Sequence, residues 1–347
     1  MLNKTLCSCV SKISLIALLG GVVPNCASAL GYHVGDWDFR LSGYGMAGLI
    51  EPDFKDTLFL GDFSVRGQVQ YDATSDHKFG LVYVMDALAL DEHHWAHQAF
   101  GFWQWRGVGR LEAGMTESVA HKLGLGLPDV GGLRVNENSW LFKKMGAQGP
   151  IIANTVLTTG HESLRVNLVS TSSQGVQYGV TVSGLTDQYD VSAGAGIKLK
   201  YSEGKTKFAF SLGTDFISNL DGYTPDIFTA PIYADWRGQV ALGMNIQYNS
   251  FVIGVNGRAI YDQDAIGEPT DGLSAGIGAS YDLLNYSLSL SYMMSDTGVW
   301  QKDIHAYVDN TVIGSFRCKY SKNVDIWTSV GVTRHDPFLA AALRVTF

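Results

Sequence analysis

Two groups of residues have types and spacing that could perform chemistry. The pentapeptide Gly-Leu-Ser-Ala-Gly at 272–276 fits the pattern in which a nucleophilic serine stands at a sharp strand-to-helix turn. Here the residues continue a run of strict alternation, so we expect no catalytic role for Ser274. His93, His94 and His97 would suit a metal ion if they lay on one helix. No helical periodicity surrounds them, and the sequence predicts no enzyme, no metal site and no cofactor.

Alternation of apolar and polar residues with a period of two governs most of the chain after Leu30. The stretch from Gln239 to Tyr248 is typical: five apolar residues alternate with glutamine, alanine, glycine and asparagine. Such alternation over about ten residues indicates a β-strand with one apolar and one polar face. Soluble strands average about five or six residues, whereas tilted strands that cross a bilayer need about nine to eleven. The length therefore favours membrane-spanning strands.

The composition agrees with this interpretation. Charged residues make up only 17% of the 347 residues, and glycine is abundant at 40. An ordinary soluble domain carries about 25% charged residues. Past the N-terminus no run of about 18 apolar residues occurs, so the sequence predicts no membrane-spanning helix.

Short and long connections alternate between the predicted strands. Seven short turns and eight longer links join sixteen strands, which predicts an all-β fold, a 16-stranded antiparallel transmembrane β-barrel. Lipid cannot satisfy the backbone of an open sheet edge, so the last strand, ending at Phe347, should pair with the first, Asp36–Ile50. The predicted short turns are 74–77, 106–109, 172–174, 202–205, 249–250, 283–285 and 321–323.

Aromatic residues flank three of these turns. Such residues are expected where an outer-membrane barrel meets the membrane–water boundary. The flanking pairs are Tyr248 and Phe251, Tyr281 and Tyr286, and Tyr320 and Trp327.

One stretch, about 117–160, interrupts the alternation. Glycines, prolines and charges of both signs replace the regular pattern there. A loop this long is unusual in a compact fold and usually has a function. We expect it to be the third extracellular loop, to fold into the lumen and to narrow a pore.

The first 29 residues are typical of a secretory signal peptide. Lys4 and Lys12 supply positive charge, Ile13–Val23 is an apolar stretch too short to span a membrane, and Ala27–Ala29 offers small residues for cleavage. The mature chain would begin at Leu30 and form a single β-barrel domain. Loss of two lysines leaves 23 basic and 33 acidic residues, or −10, which argues against nucleic acid as a partner.

Several stretches resemble the general porins of Gram-negative bacteria, in particular the porin-like proteins of alphaproteobacteria. They are Gly109–Thr116, His121–Asn136, Val324–Gly331 and the terminal Phe347. The resemblance covers about Trp37–Phe347. It implies a sixteen-stranded outer-membrane barrel, usually a homotrimer, whose third extracellular loop folds into the lumen.

The resemblance also implies residues for the pore. Porins of this kind set basic side chains on early strands across from acids on the loop, and the resulting transverse field favours small polar solutes. The wall candidates are Arg40, Arg66 and Arg165. The loop candidates are Glu117, Asp129 and Glu137. Basic residues on the same loop leave the sign of the field open: Lys122, Arg134, Lys143 and Lys144.

The stretch Gln98–Trp105 is aromatic on both of its alternating faces. A strand that packs against protein on both sides would have this pattern, so Phe100, Phe102, Trp103 and Trp105 are candidates for a subunit interface. The alternative is a lipid-facing strand within an aromatic belt.

The sequence thus predicts a passive outer-membrane channel for small hydrophilic solutes and ions, surrounded by lipid. The net charge predicts a mild preference for cations. A substrate-selective channel for a sugar or a phosphate-like anion on the same fold is the alternative. An outer-membrane enzyme or a surface adhesin finds less support, because no serine–histidine–aspartate arrangement is recognisable and most loops are short.

Overall fold

The computed structural model describes residues 30–52, 57–89, 93–131, 164–184, 191–223, 232–263, 269–296, 308–333 and 336–347. The predicted signal peptide, 1–29, and the part of the long loop that contains Glu137 lie outside these ranges. No helix among the described residues is long and apolar enough to cross a membrane.

Antiparallel strands make up most of the described chain. Their long runs follow from the two-residue alternation, which places one face of each strand outward and the other inward. The elements are β1 (Leu30–Val34), β2 (Trp37–Pro52), β3 (Leu58–Asp72), β4 (His77–Ala89), β5 (His93–Trp105), β6 (Gly109–Met115), α1 (Val119–Leu123), β7 (Leu164–Ser170), β8 (Val176–Ser183), β9 (Ser192–Glu203), β10 (Thr206–Tyr223), β11 (Ile232–Tyr248), β12 (Phe251–Gln263), β13 (Pro269–Leu283), β14 (Tyr286–Asp296), β15 (Val308–Ser321), β16 (Val324–Thr333) and β17 (Asp336–Thr346).

The sixteen strands β2 to β17 close into one barrel. Each strand pairs with the next, and β17 returns to β2 with a register from Phe338 opposite Pro52 to Thr346 opposite Tyr44. The predicted pairing of last and first strands is therefore confirmed. All seven predicted short turns also join consecutive strands at one rim, which is the periplasmic rim of an outer-membrane barrel.

The short strand β1 was not predicted from the sequence. It pairs with the beginning of β2, from Leu30 opposite Leu41 to Val34 opposite Trp37. The pairing of the C-terminal strand with β2 reaches only as far as Gly43, which exchanges two backbone hydrogen bonds of 2.8 and 2.9 Å with Phe347. Because β17 does not extend further, β1 supplies backbone partners for the part of β2 that β17 leaves unpaired.

The two faces of the barrel differ as the alternation predicts. Large apolar side chains are exposed on the outside, for example Leu81 and Leu290, while serine, threonine, asparagine and glutamine line much of the inside. The predicted aromatic pairs at the 249–250 and 283–285 turns are exposed on the outer face. Trp327 is a correction: it lies on the inner face and is 1% exposed, so it is not part of a belt.

The residues first considered for chemistry lie in strands. His93 and His97 pair with Ala89 and Met85 along β5, so the helical spacing needed for a shared metal is absent from their backbone. Ser274 pairs with Arg258 in the middle of a β-ladder, with no strand-to-helix turn.

Candidate functional site

The candidate site is the described part of the long loop, residues 117–131, which we call the wall segment. It begins after β6 and forms the five-residue helix α1. Ser118 caps this helix, because its hydroxyl accepts a hydrogen bond of 3.3 Å from the backbone amide of His121. The cap starts the helix immediately after the strand ends and turns the chain toward the inner wall.

Polar wall residues fasten the beginning of the wall segment. The Asn167 amide donates to the Glu117 carbonyl (2.8 Å), and the Thr181 hydroxyl accepts from the Val119 amide (2.6 Å). The Thr181 hydroxyl in turn donates to the side-chain amide oxygen Oδ1 of Asn167 (2.8 Å). The otherwise unpaired amide at the helix start is thereby satisfied by the inner wall.

Lys122 ties α1 to β6 and β5. Its ammonium group donates to the buried Glu112 carboxylate and to the Thr116 hydroxyl (2.6 Å), and it lies 4.7 Å from the centre of the Phe100 ring. Arg110 contacts the same carboxylate at 3.0 Å. Burial lowers the pKa of Lys122 from its usual value, and the negative charge of Glu112 opposes that shift.

Glycines on successive strands give the wall segment a path along the inner wall. A Cβ at Gly179 would lie 2.8 Å from Val119 Cγ1, and one at Gly196 would lie 3.1 Å from the Cα atom of Ala120. The wall segment therefore lies so close to these glycines that a side chain at either position would require it to shift. We call this set the glycine track: Gly179, Gly196, Gly213, Gly243, Gly254 and Gly276.

Hydrogen bonds fix the second half of the wall segment. The Leu125 amide donates to the Ser211 hydroxyl (3.0 Å), and Asn245 donates to the Gly126 carbonyl (3.2 Å). Asp129 accepts from the Ser289 hydroxyl (2.9 Å). The segment thus follows the inner wall from β8 to β14, inside the barrel.

An apolar cluster receives Leu127 at the far end of this path. It contains Ile50, Phe338 and Trp327, all inward-facing and almost completely buried. Sequence reasoning missed this cluster, because the inward face was expected to be polar throughout. A signal was present in β17, because the run Phe338–Leu343 is apolar on both alternating faces.

The predicted basic wall residues differ in position. Arg66 is exposed on the inner face, and Arg40 is exposed near the periplasmic rim, where it pairs with Asp38 at 2.5 Å. Arg165 is a correction, because it is 2% exposed and donates to the Thr116 carbonyl. It holds the start of the loop and does not face open lumen.

The two described acids of the loop also turn toward other groups. Glu117 lies 3.5 Å from the His121 imidazole, and Asp129 binds Ser289 of the wall and the amide of Gly131. Both help to hold the wall segment, so neither is shown opposing Arg66. Sequence reasoning missed Glu112, and it named Lys122 only as a charge on the loop, without a partner.

The predicted interface residues fall on opposite faces of β5. Phe100 and Phe102 point inward and are 6% and 5% exposed, so an outer subunit contact is wrong for these two. Trp103 and Trp105 point outward with ring centres 4.0 Å apart, and Trp103 stacks on Phe79. These two tryptophans remain candidates for an interface.

A groove of about 850 Å³ runs over the outer face of β2 to β6, close to the two tryptophans. Small residues form its floor and larger apolar residues, among them Tyr32 and Leu81, line it. Small residues allow another surface to approach the backbone closely. The floor residues are Gly67, Ala99, Gly101 and Ala113.

Several charges on the inner wall toward the periplasmic rim form ion pairs. The pairs in the described strands are Arg40–Asp38, Lys78–Asp72, Arg110–Glu112, Arg317–Asp282 and Arg344–Asp325, at 2.5 to 3.6 Å. Lys198, Lys200 and Lys207 on β9 and β10 also face inward, and no described carboxylate lies within salt-bridge distance of them. We call these three the lysine cluster.

No protein-family model matches the chain, and no curated protein matches it either.

Solved structures of outer-membrane proteins do match, over most of the chain. Salmonella typhi OmpF in complex with daunomycin has a TM-score of 0.64 at 9% identity, over 92% of this chain and 100% of that chain. The anion-selective porin of Comamonas acidovorans has a TM-score of 0.60 at 12% identity, over 90% and 100%. OmpT of Vibrio cholerae in its trimer form has 0.61 at 11%, over 90% and 100%. The fold is therefore that of a bacterial outer-membrane β-barrel of the porin type.

Proposed function

We propose that the chain is an outer-membrane porin that lets small hydrophilic solutes and ions diffuse passively through a water-filled lumen. The observation that carries this proposal is the closed barrel with an apolar outer face and an inner face bearing charged and neutral polar side chains. Such a barrel offers an aqueous path through a bilayer. The resemblance to alphaproteobacterial porin-like proteins, carried best by Lys122–Asn136, belongs to the same proposal.

The long loop is proposed to narrow this path. Its described part is fixed on the inner wall by the glycine track and by Lys122, which supports the view that the loop has a set position in the lumen. Arg66 is the wall candidate proposed to contribute to the field, and its exposure on the inner face supports this role.

A homotrimer is part of the proposal. The outer groove over β2 to β6, with its small-residue floor and adjacent Trp103 and Trp105, supports a close contact between barrels. The trimer form of the structurally similar Vibrio cholerae protein supports it by analogy.

The test is the conductance of the purified protein in a planar lipid bilayer. Water-filled channels in a trimer are expected to give stepwise increases in current that occur in groups of three. Absence of any steps from correctly folded protein would overturn the channel, and steps that always occur singly would overturn the trimer alone.

A channel that favours anions is a second candidate. The lysine cluster favours it, because its charges lie on the inner wall without a carboxylate partner among the described residues. The reversal potential under a salt gradient distinguishes the two candidates, since its sign reports which ion crosses more easily.

A further inference from the structure

We infer that the lysine cluster is a binding site for small multivalent oxyanions, such as inorganic phosphate, on the periplasmic side of the wall segment. The inference rests on the proposed channel function, because the anion reaches these side chains through the lumen. It adds a site and a class of solute that general diffusion does not require.

The position of the cluster follows from strand register. Lys198 lies two residues beyond Gly196, against which Ala120 of the wall segment packs. Ser211 lies opposite Lys198 and accepts the hydrogen bond from the Leu125 amide. The cluster therefore begins where the contact with the loop ends, and it continues along β9 and β10 toward the short turn at 204–205.

The three side chains share one patch of the wall. Lys198 and Lys200 are alternate residues of β9, and Lys207 lies opposite Ser202 on β10. Alternate residues of a strand and diagonal neighbours across a ladder are about 7 Å apart, a span that long side chains bridge. Lys198 and Lys200 therefore place like charges close together on the same face of β9.

Among the residues that the structure describes, the inward positions around the cluster supply no counter-charge. The neighbouring inward positions on β8 to β11 are neutral: Gln177, Ser202, Ala209, Ser211, Asn245 and Gln247. Other basic residues of the inner wall near the periplasmic rim, such as Arg40 and Arg344, form ion pairs with acids on the same or the adjacent strand. Like charges gathered without a partner repel each other, and a bound anion relieves that repulsion.

The chemistry of the cluster selects the ligand. Each ammonium group offers three donors and accepts nothing, so its partner must be an acceptor with negative charge. An oxyanion with several oxygens and more than one negative charge can span two or three of these groups at once, whereas chloride is one atom with a single charge. Lys200 and Lys207 are exposed and Lys198 is partly buried, so the donors can be reached from the lumen.

The test measures block of the channel current by inorganic tripolyphosphate, added in turn to each side of the bilayer. The variant K198Q/K200Q/K207Q should bind the blocker about tenfold more weakly, since three screened charge pairs of a few tenths of a kcal/mol each are lost. The control K205Q/K319Q/K322Q also removes three positive charges at this rim but leaves the cluster intact. Its affinity for tripolyphosphate should lie within about twofold of that of the unchanged protein.

The outcomes separate the site from the channel. Block that is absent in the unchanged protein, or equal in both triple variants, overturns the site while stepwise conductance still supports the porin. Absence of conductance in the unchanged protein overturns the proposed function itself. If the cluster variant forms no channels, K198Q, K200Q and K207Q are measured singly, and unaltered block in all three overturns the site.

Discussion

Contacts of single residues decide where the loop lies, and they were the hardest feature to predict. Arg165 was a candidate for the pore wall, but alternation says nothing about what covers a position, and here the start of the loop covers it. Asp129 is an acid on the loop as expected, yet it binds Ser289 of the wall. Side-chain directions within a loop depend on tertiary contacts that leave no periodic signal.

The glycine track gives a prediction at one residue. In Gly196→Val the new side chain collides with the backbone of Ala120, whose Cα would lie 3.1 Å from the added Cβ. Such overpacking costs about 1–3 kcal/mol unless the chain moves. The wall segment should shift toward the centre of the lumen, so the single-channel conductance should fall.

The matched control for this change is Gly257→Val. Gly257 faces outward, and its added Cβ would meet only the Ser274 carbonyl at an ordinary 3.5 Å. Its conductance should equal that of the unchanged protein. Equal conductance in the Gly196→Val channel would contradict the position assigned to the wall segment.

The ion pair between Lys122 and Glu112 gives a second prediction. In Lys122→Met the buried carboxylate loses one of its two cationic partners, which should destabilise the attachment of α1 by about 2 kcal/mol. Thermal unfolding in detergent should occur at a lower temperature, and the open-channel current should become noisier. Lys122→Arg keeps the charge and should change both much less; identical behaviour of the two variants would argue against the ion pair.

At the scale of the elements, the sequence predicted most of the fold. Long amphipathic strands and turn residues are local signals, so the sixteen barrel strands and the seven short turns could be placed. The strand β1 could not, because it has only five residues and adjoins the predicted cleavage site. The face of Phe100 and Phe102 was missed because β5 is aromatic on both sides.

The groove on the outer face gives the prediction for this scale. Gly101→Leu fills the floor of the groove without strain in the barrel, because the nearest side-chain atom, Leu81 Cδ2, would lie 3.7 Å from the added Cβ. The variant should fold and should dissociate to monomers more readily in detergent, measured by native mass. Gly257→Leu, on an outward face away from the groove, should assemble normally. If both variants fail to assemble, any added leucine on the outer face disturbs assembly, and the groove is not specifically the interface.

For the whole molecule, net charge and wall charge predict opposite selectivity. The mature chain at −10 favours cations, and that sequence-based prediction is still to be tested. An ion in the lumen responds most to charges within about 10 Å, the screening length at 0.1 M salt. The lysine cluster lies on the inner wall with no carboxylate within salt-bridge distance among the described residues, and it favours the second candidate, a channel that prefers anions.

The reversal potential of a bilayer between unequal potassium chloride solutions measures this preference. If the lysine cluster dominates, the sign of the reversal potential should show that anions cross more easily than cations. In K198Q/K200Q/K207Q the reversal potential should shift in the direction of cation preference. A cation-favouring potential that the substitutions leave unchanged would show that charges elsewhere in the chain dominate.

The central claim is that a closed barrel encloses water and that its inturned loop limits what passes. Swelling of liposomes that contain the protein, in isotonic solutions of sugars of increasing size, measures this most directly. The account predicts rapid swelling with the smallest sugars and a steep decline as the sugars grow. No swelling with any sugar, or swelling that does not depend on sugar size, would contradict it.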